Sequence, residues 1–177
     1  MAGDPASRRQ LVVFAGLPGT GKSTLAEYAA RALRCPLFTK DRLEATLRRS
    51  GIGPEDKSGW AAYELLTTLA DEQLRLGQSA VLDSTATFER VRAAWRDAAA
   101  RHGAFFRVVE CICSDAALHR ARLAGRDRGI PGWYEVSWDE VERVRGNYHA
   151  WSEERLVLDA VDPVDRNAAA LERYLTG

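Results

Sequence analysis

The run Gly16-Leu17-Pro18-Gly19-Thr20-Gly21-Lys22-Ser23-Thr24 carries the clearest chemistry in the chain. It fits the pattern G-x-x-x-x-G-K-[ST] at every fixed position. That pattern binds phosphate for physical reasons. Phosphate oxygens are anionic and need several donors at once. Glycines let successive backbone N–H groups turn inward with no Cβ in the way. A helix starting at the end of the run adds partial positive charge. Lys22 then brings a full charge to the β- and γ-phosphates of a nucleotide, and the Ser23 hydroxyl is a ligand for Mg²⁺. A glycine-rich turn with a chance lysine would need no strand before it and no helix after it; this run has both.

The strand is QLVVFA (10–15), an apolar run of buried-strand type. From Lys22 the apolar residues Leu25, Ala26, Ala29, Ala32 and Leu33 recur at three- and four-residue spacings, the pattern of a helix. Further strands are expected at PLFT (36–39), SAVLD (79–83), AFFRVVECI (104–112) and RLVLDAV (155–161). Helices are expected at 41–49, 60–76, 88–102, 115–124, with Ser114 as N-cap, and 138–150. Ser137 and Glu140 form a capping box for the last of these. A final helix starts with Pro163 at its first position. Cys111 and Cys113 alternate in one strand and so share a face, as core residues. Strands alternating with helices imply a parallel sheet covered on both faces, an α/β fold.

Composition narrows the rest. The chain has 177 residues, 25 basic and 25 acidic, with 46% hydrophobic content. Length and apolar content suit one folded domain spanning 10–177, after a polar, flexible start at 1–9. Zero net charge argues against a dedicated nucleic-acid or membrane-surface binder. No apolar run reaches the length of a membrane span, and MAGDPASRRQ has no signal-peptide core. Three cysteines (Cys35, Cys111, Cys113) make neither a disulfide framework nor a zinc site, and free thiols suit a cytoplasmic protein. His102, His119 and His149 are scattered and suggest no ligand set.

Four features together resemble a known family: GLPGTGKST (16–24), Thr39-Lys40-Asp41 after the second strand, VLDST (81–85) ending the third, and Arg122-Leu123-Ala124-Gly125-Arg126 before a glycine-rich loop. The chain resembles the small P-loop kinases grouped with polynucleotide 5′-kinases, chloramphenicol phosphotransferase and zeta toxins, the AAA-type kinase-like ATPases. The resemblance implies a three-layer P-loop NTPase fold whose five-stranded parallel sheet has the order 2-3-1-4-5. It implies ATP, Mg²⁺ and transfer of the γ-phosphoryl group to an acceptor hydroxyl. It makes Asp41 the general base, although a carboxylate there also suits a cap for the helix 41–49. It gives Asp83 either the metal or the acceptor, against a bond to a turn amide, with Ser84 and Thr85 in the same cleft. Arg122 and Arg126 become lid arginines that stabilise the transferring phosphoryl group, against a solvated basic face, and residues 125–136 become the lid.

Lys57, Trp60 and Tyr63, together with Phe88, Arg90, Arg92 and Trp95, are candidates for the acceptor wall; Trp133 and Tyr134 are candidates for acceptor contact or loop packing. The polynucleotide kinases carry an arginine three residues after the aspartate, where this chain has Glu44, a departure that points away from a 5′-hydroxyl polynucleotide acceptor. The sequence therefore reads as a cytoplasmic, monomeric or homodimeric kinase with a small-molecule hydroxyl acceptor. A polynucleotide 5′-kinase, with a basic groove from Arg90, Arg92, Arg126 and Arg128, and a non-catalytic ATP-binding module are the alternatives.

Overall fold

The computed structural model describes residues 9–177, so of the polar start at 1–9 residues 1–8 lie outside the described residues. Five strands form one parallel sheet in the order β2-β3-β1-β4-β5. They are β1 (Gln10–Ala15), β2 (Leu37–Thr39), β3 (Ala80–Asp83), β4 (Phe105–Ile112) and β5 (Leu156–Asp159). The helices are α1 (Lys22–Leu33), α2 (Lys40–Arg49), α3 (Ser58–Arg75), α4 (Glu89–Arg101), α5 (Ala116–Ala124), α6 (Trp138–Gly146) and α7 (Val164–Thr176).

β1 is central because both of its faces are apolar. Leu11, Val13 and Ala15 join the core under α3 and α4 with Leu66, Leu82 and Trp95. Val12 and Phe14 join the opposite core under α1 and α7 with Leu25, Val81 and Leu171. Side chains alternate along a strand, so one run of apolar residues feeds both layers. Each such side chain, fully buried, contributes roughly 1.5–3 kcal/mol.

Register sets the working edge. Thr39 pairs with Asp83, and Asp83 pairs with Phe14, so three strand ends finish side by side. The segments that follow them, Gly16 onward, Lys40-Asp41 and Ser84-Thr85, emerge together at the carboxyl edge, where open parallel sheets present ligands.

Several local expectations are corrected. Asp115, not Ser114, caps α5: its side chain accepts from the N–H groups of Ala117 and Leu118 at 2.8 and 3.0 Å. The Ser114 N–H is instead tied to Asp159. Pro163 is the N-cap of α7 in an extended conformation, one position before the helix. α6 stops at Gly146 rather than 150. Cys113 lies beyond the end of β4 and does not share a strand face with Cys111, which is buried with its thiol pushed up to about 12 by desolvation. Asp41 sits in the first turn of α2, and Thr39 holds the cap position. The capping box of Ser137 and Glu140 forms as expected.

Candidate active site

The loop from Gly16 to Gly21 turns on backbone conformations that favour glycine. Gly16 has φ +134°, and a Cβ there would lie 2.1 Å from the Cys111 carbonyl oxygen at the end of β4. Gly19 (φ +88°) packs against the His119 ring, and Gly21 (φ +80°) is the N-cap of α1. The Thr20 hydroxyl donates to the Leu17 carbonyl at 2.9 Å and closes the loop. From outside, His119 Nε2 lies 2.7 Å from the Pro18 carbonyl. A carbonyl only accepts, so Nε2 carries the proton. His119 is 1% exposed and meets the Trp138 ring edge-on at 5.1 Å. Sequence spacing gave no hint of this brace.

Lys22 is 5% exposed, and its Nζ reaches the Leu17 carbonyl at 3.4 Å. Burial holds its ammonium below the usual lysine range, against the pull of Asp83 and Asp41. Asp83, 2% exposed, has its carboxyl pushed up by burial, opposed by Lys22 and by the Ser23 hydroxyl. Its Oδ1 is buried with no hydrogen-bond partner. A hard oxygen left unpaired beside a second oxygen donor suits Mg²⁺, so Ser23 and Asp83 fit a magnesium site.

Asp41 faces this loop from α2. Its Oδ2 accepts from Arg128 Nη1 at 2.5 Å, and its Oδ1 lies 3.9 Å from Lys40 Nζ. Burial works to raise its pKa, but Lys40 and then Arg128 outweigh burial and hold the carboxyl below its ordinary value. Lys40 is also bonded to Glu44, which takes Arg48 and the Ser58 hydroxyl as well. Glu44 is thus a buried clamp joining α2 to the start of α3.

The glycine-rich segment 125–136 covers the cleft. Arg122, Arg126 and Arg128 line a cavity of about 290 Å³ with Gly19, Lys22 and Ser23. Arg126 lies two residues past the end of α5, yet it shares the cleft with Arg122. Arg126 Nη1 and Arg128 Nε and Nη2 are buried without hydrogen-bond partners, although Glu135 stands 4.0 Å from Arg126 Nε and 3.8 Å from Arg128 Nε. The segment docks on α2: Arg49 donates to the Pro131 carbonyl, and the Arg48 guanidinium lies 5.0 Å from both the Trp133 and Tyr134 rings.

A second cavity, about 530 Å³, opens beyond Lys40, walled by Lys57, Trp60, Tyr63, Thr85 and Phe88. Three sequence candidates do not line it. Arg90 lies against Trp60, its guanidinium 5.1 Å from the ring, in a separate small pocket. Trp95 is fully buried in the core. Arg92 is fully buried too, donating to the carbonyls of Ala86, His149 and Ala150. It cannot line a basic groove, and Arg128 is committed to Asp41.

The fold and the loop define an α/β protein of the P-loop class. The chain belongs to the AAA domain family, whose sequence model matches residues 11–148. Among solved structures it is similar to a provisionally assigned kinase from Chloroflexus aurantiacus J-10-fl (22% identity, 94% of this chain and 97% of that one, TM-score 0.75). It is also similar to a gluconokinase from Sinorhizobium meliloti 1021 (19%, 95% and 95%, TM-score 0.68). A third similar structure is the APS kinase CysC of Mycobacterium tuberculosis in complex with AMPPNP and APS (20%, 96% and 99%, TM-score 0.65). No curated protein matches the chain in sequence.

Proposed function

We propose that the chain is an ATP-dependent kinase acting on a hydroxyl of a small-molecule acceptor, with residues 10–177 as one catalytic unit and 125–136 as its lid. The observation that carries this reading is the placement of Asp41 where it acts on the Lys22 ammonium, with an acceptor-sized cavity lined by its neighbour Lys40.

Residues 16–24 cradle the phosphates through backbone N–H groups and Lys22. Ser23 and Asp83 would hold Mg²⁺, which supplies charge neutralisation at the phosphates. Asp41 Oδ1 stands beyond hydrogen-bond reach of Lys40 and is open to an acceptor hydroxyl. Asp41 orients that oxygen and takes its proton as the new O–P bond forms to the γ-phosphorus. The bond from that phosphorus to the bridging oxygen breaks, and ADP leaves. Arg126, Arg122 and Lys22 meet the negative charge spread over the transferring group. The Arg126 Nη1 donor, buried without a hydrogen-bond partner, supports the arginine role, because a buried guanidinium N–H left unpaired calls for an anion. Most of the rate gain comes from positioning and charge.

The neighbours named as gluconokinase and APS kinase support a small-molecule acceptor. The polynucleotide reading loses Arg92, which is spent on backbone carbonyls. Asp41→Asn tests the proposal. AMPPNP affinity should stay within about twofold while turnover falls by at least about a hundredfold; an unchanged turnover removes Asp41 from the chemistry.

A further inference from the structure

The larger cavity has a chemical character of its own. Trp60, Tyr63 and Phe88 meet at ring-centroid distances of 6.1–6.4 Å and form a connected aromatic wall. Phe88 is exposed and Trp60 half-buried, so the wall faces open space. A chain of hydroxyls runs beside it: Tyr63 to Thr85 at 3.0 Å, and Thr87 to Thr85 at 2.9 Å. Aromatic rings accept the flat face of a sugar or another ring, and hydroxyls pair with polar substituents. At about 530 Å³ the space suits a ligand of single-ring to mononucleotide size.

The charges around this cavity are one-sided. Among the described residues, Glu44 is the only carboxylate on its wall. It is 4% exposed, and its oxygens are taken by Lys40, Arg48 and Ser58. At the mouth, Lys57 is exposed and makes no ion pair among the described residues. Arg143 is also exposed and is paired with Glu140 at 3.6 Å. A cationic acceptor such as an aminoglycoside would find no carboxylate to receive it. An anion would find the unpaired ammonium of Lys57 and, facing it across the same cavity lining, the guanidinium that Arg143 shares with Glu140.

We propose that the acceptor is a small ring compound bearing a carboxylate or phosphate, held with its ring on Trp60 and Phe88 and its anionic group between Lys57 and Arg143. This rests on the kinase reading above, because it assigns the cavity to that reaction's acceptor. The unpaired Lys57 selects by attraction, and the one lining carboxylate, Glu44, is already engaged and offers a cation nothing.

Binding and transfer are measured separately, so the two readings fail separately. The AMPPNP-loaded protein is titrated by calorimetry with three matched sets. They are glucuronate, glucose and glucosamine; adenosine 3′-phosphate, adenosine and 3′-amino-3′-deoxyadenosine; and 4-(hydroxymethyl)benzoate, benzyl alcohol and 4-(aminomethyl)benzyl alcohol. In at least one set the anion should bind about tenfold or more tighter than its neutral and cationic partners; carboxylate and phosphate sets distinguish the two anions. Lys57→Asn with Arg143→Gln should erase that preference and leave AMPPNP affinity unchanged. Both positions are exposed, and asparagine tolerates the positive φ of residue 57, so the variant should fold. No charge preference in any set, absence of binding included, or a preference that survives the double variant, overturns the proposal. Charge-selective binding without transfer from ATP would support this site and sink the kinase reading; transfer to neutral or cationic hydroxyls alone would do the reverse.

Discussion

The Asp41 carboxylate shares its cleft with two cations, and they govern how it titrates. Lys40 comes from its own helix and Arg128 from the covering segment; Lys22 adds a weaker pull, and Asp83 lies close enough for the two carboxyls to feel each other. Arg128 holds the carboxyl down, so Arg128→Ala should let its pKa rise. The acid limb of kcat should then move to higher pH, as a pH–rate profile would show; an unmoved limb would mean that Arg128 does not govern the base. Glu44 makes a different prediction. Its pKa is lowered and that of its partner Lys40 is raised. The Glu44 contribution to stability is therefore present above its ordinary pKa of 4.5 and lost as pH falls through the folded value. The Lys40 contribution is present below 10.5 and lost as pH rises through its own folded value. Glu44→Ala strips Lys40 and Arg48 of their shared hydrogen-bonded partner, leaving Lys40 only Asp41 at 3.9 Å, and should cost about 3 kcal/mol in denaturant unfolding at pH 7. At this scale the phosphate loop was legible because its nine residues are contiguous. The Arg128–Asp41 pair was not, because its members lie 87 residues apart and meet only when the covering segment folds over α2.

The elements around the loop are tuned to close approach. Gly16 sits where a Cβ would enter the Cys111 carbonyl, so Gly16→Ala should displace the loop or β4 and abolish ATP binding in a direct titration. α5 reaches the loop through His119. His119→Ala leaves the buried Pro18 carbonyl without its donor, a penalty of about 1–3 kcal/mol. Expressed through a looser loop, that should weaken AMPPNP binding by about tenfold; wild-type affinity would show that the loop holds its shape unaided. The alternation of strands and helices could be read from apolar periodicity, and so could the capping box at Ser137. The ends of elements were harder. Ser114 and Asp115 are both good caps, and the choice fell to Asp115 because Ser114 is drawn to Asp159 on β5, a contact made only in the folded sheet. His119 looked like a stray histidine for the same reason: its partner is 101 residues away.

Over the whole molecule, the strand order 2-3-1-4-5 brings the ends of β1, β2 and β3 to one edge and so gathers residues 16–24, Asp41 and Asp83. That order came from family resemblance, since periodicity alone does not rank strands. Arg92 shows how burial overrides a surface reading. It followed the Asp83 segment like a groove residue, yet it ties α4 to the segment after α6. Arg92→Ala should lower unfolding free energy by at least about 2 kcal/mol, because three carbonyls lose their donor. The central claim is that this cleft moves a phosphoryl group. Its most direct test is transfer of label from γ-labelled ATP to a panel of hydroxyl acceptors, comparing wild type with Lys22→Ala. The account predicts a labelled product from one class of small acceptor, lost in the Lys22 variant. Tight ATP binding with no labelled product from any acceptor would contradict it and leave a nucleotide-binding module in its place.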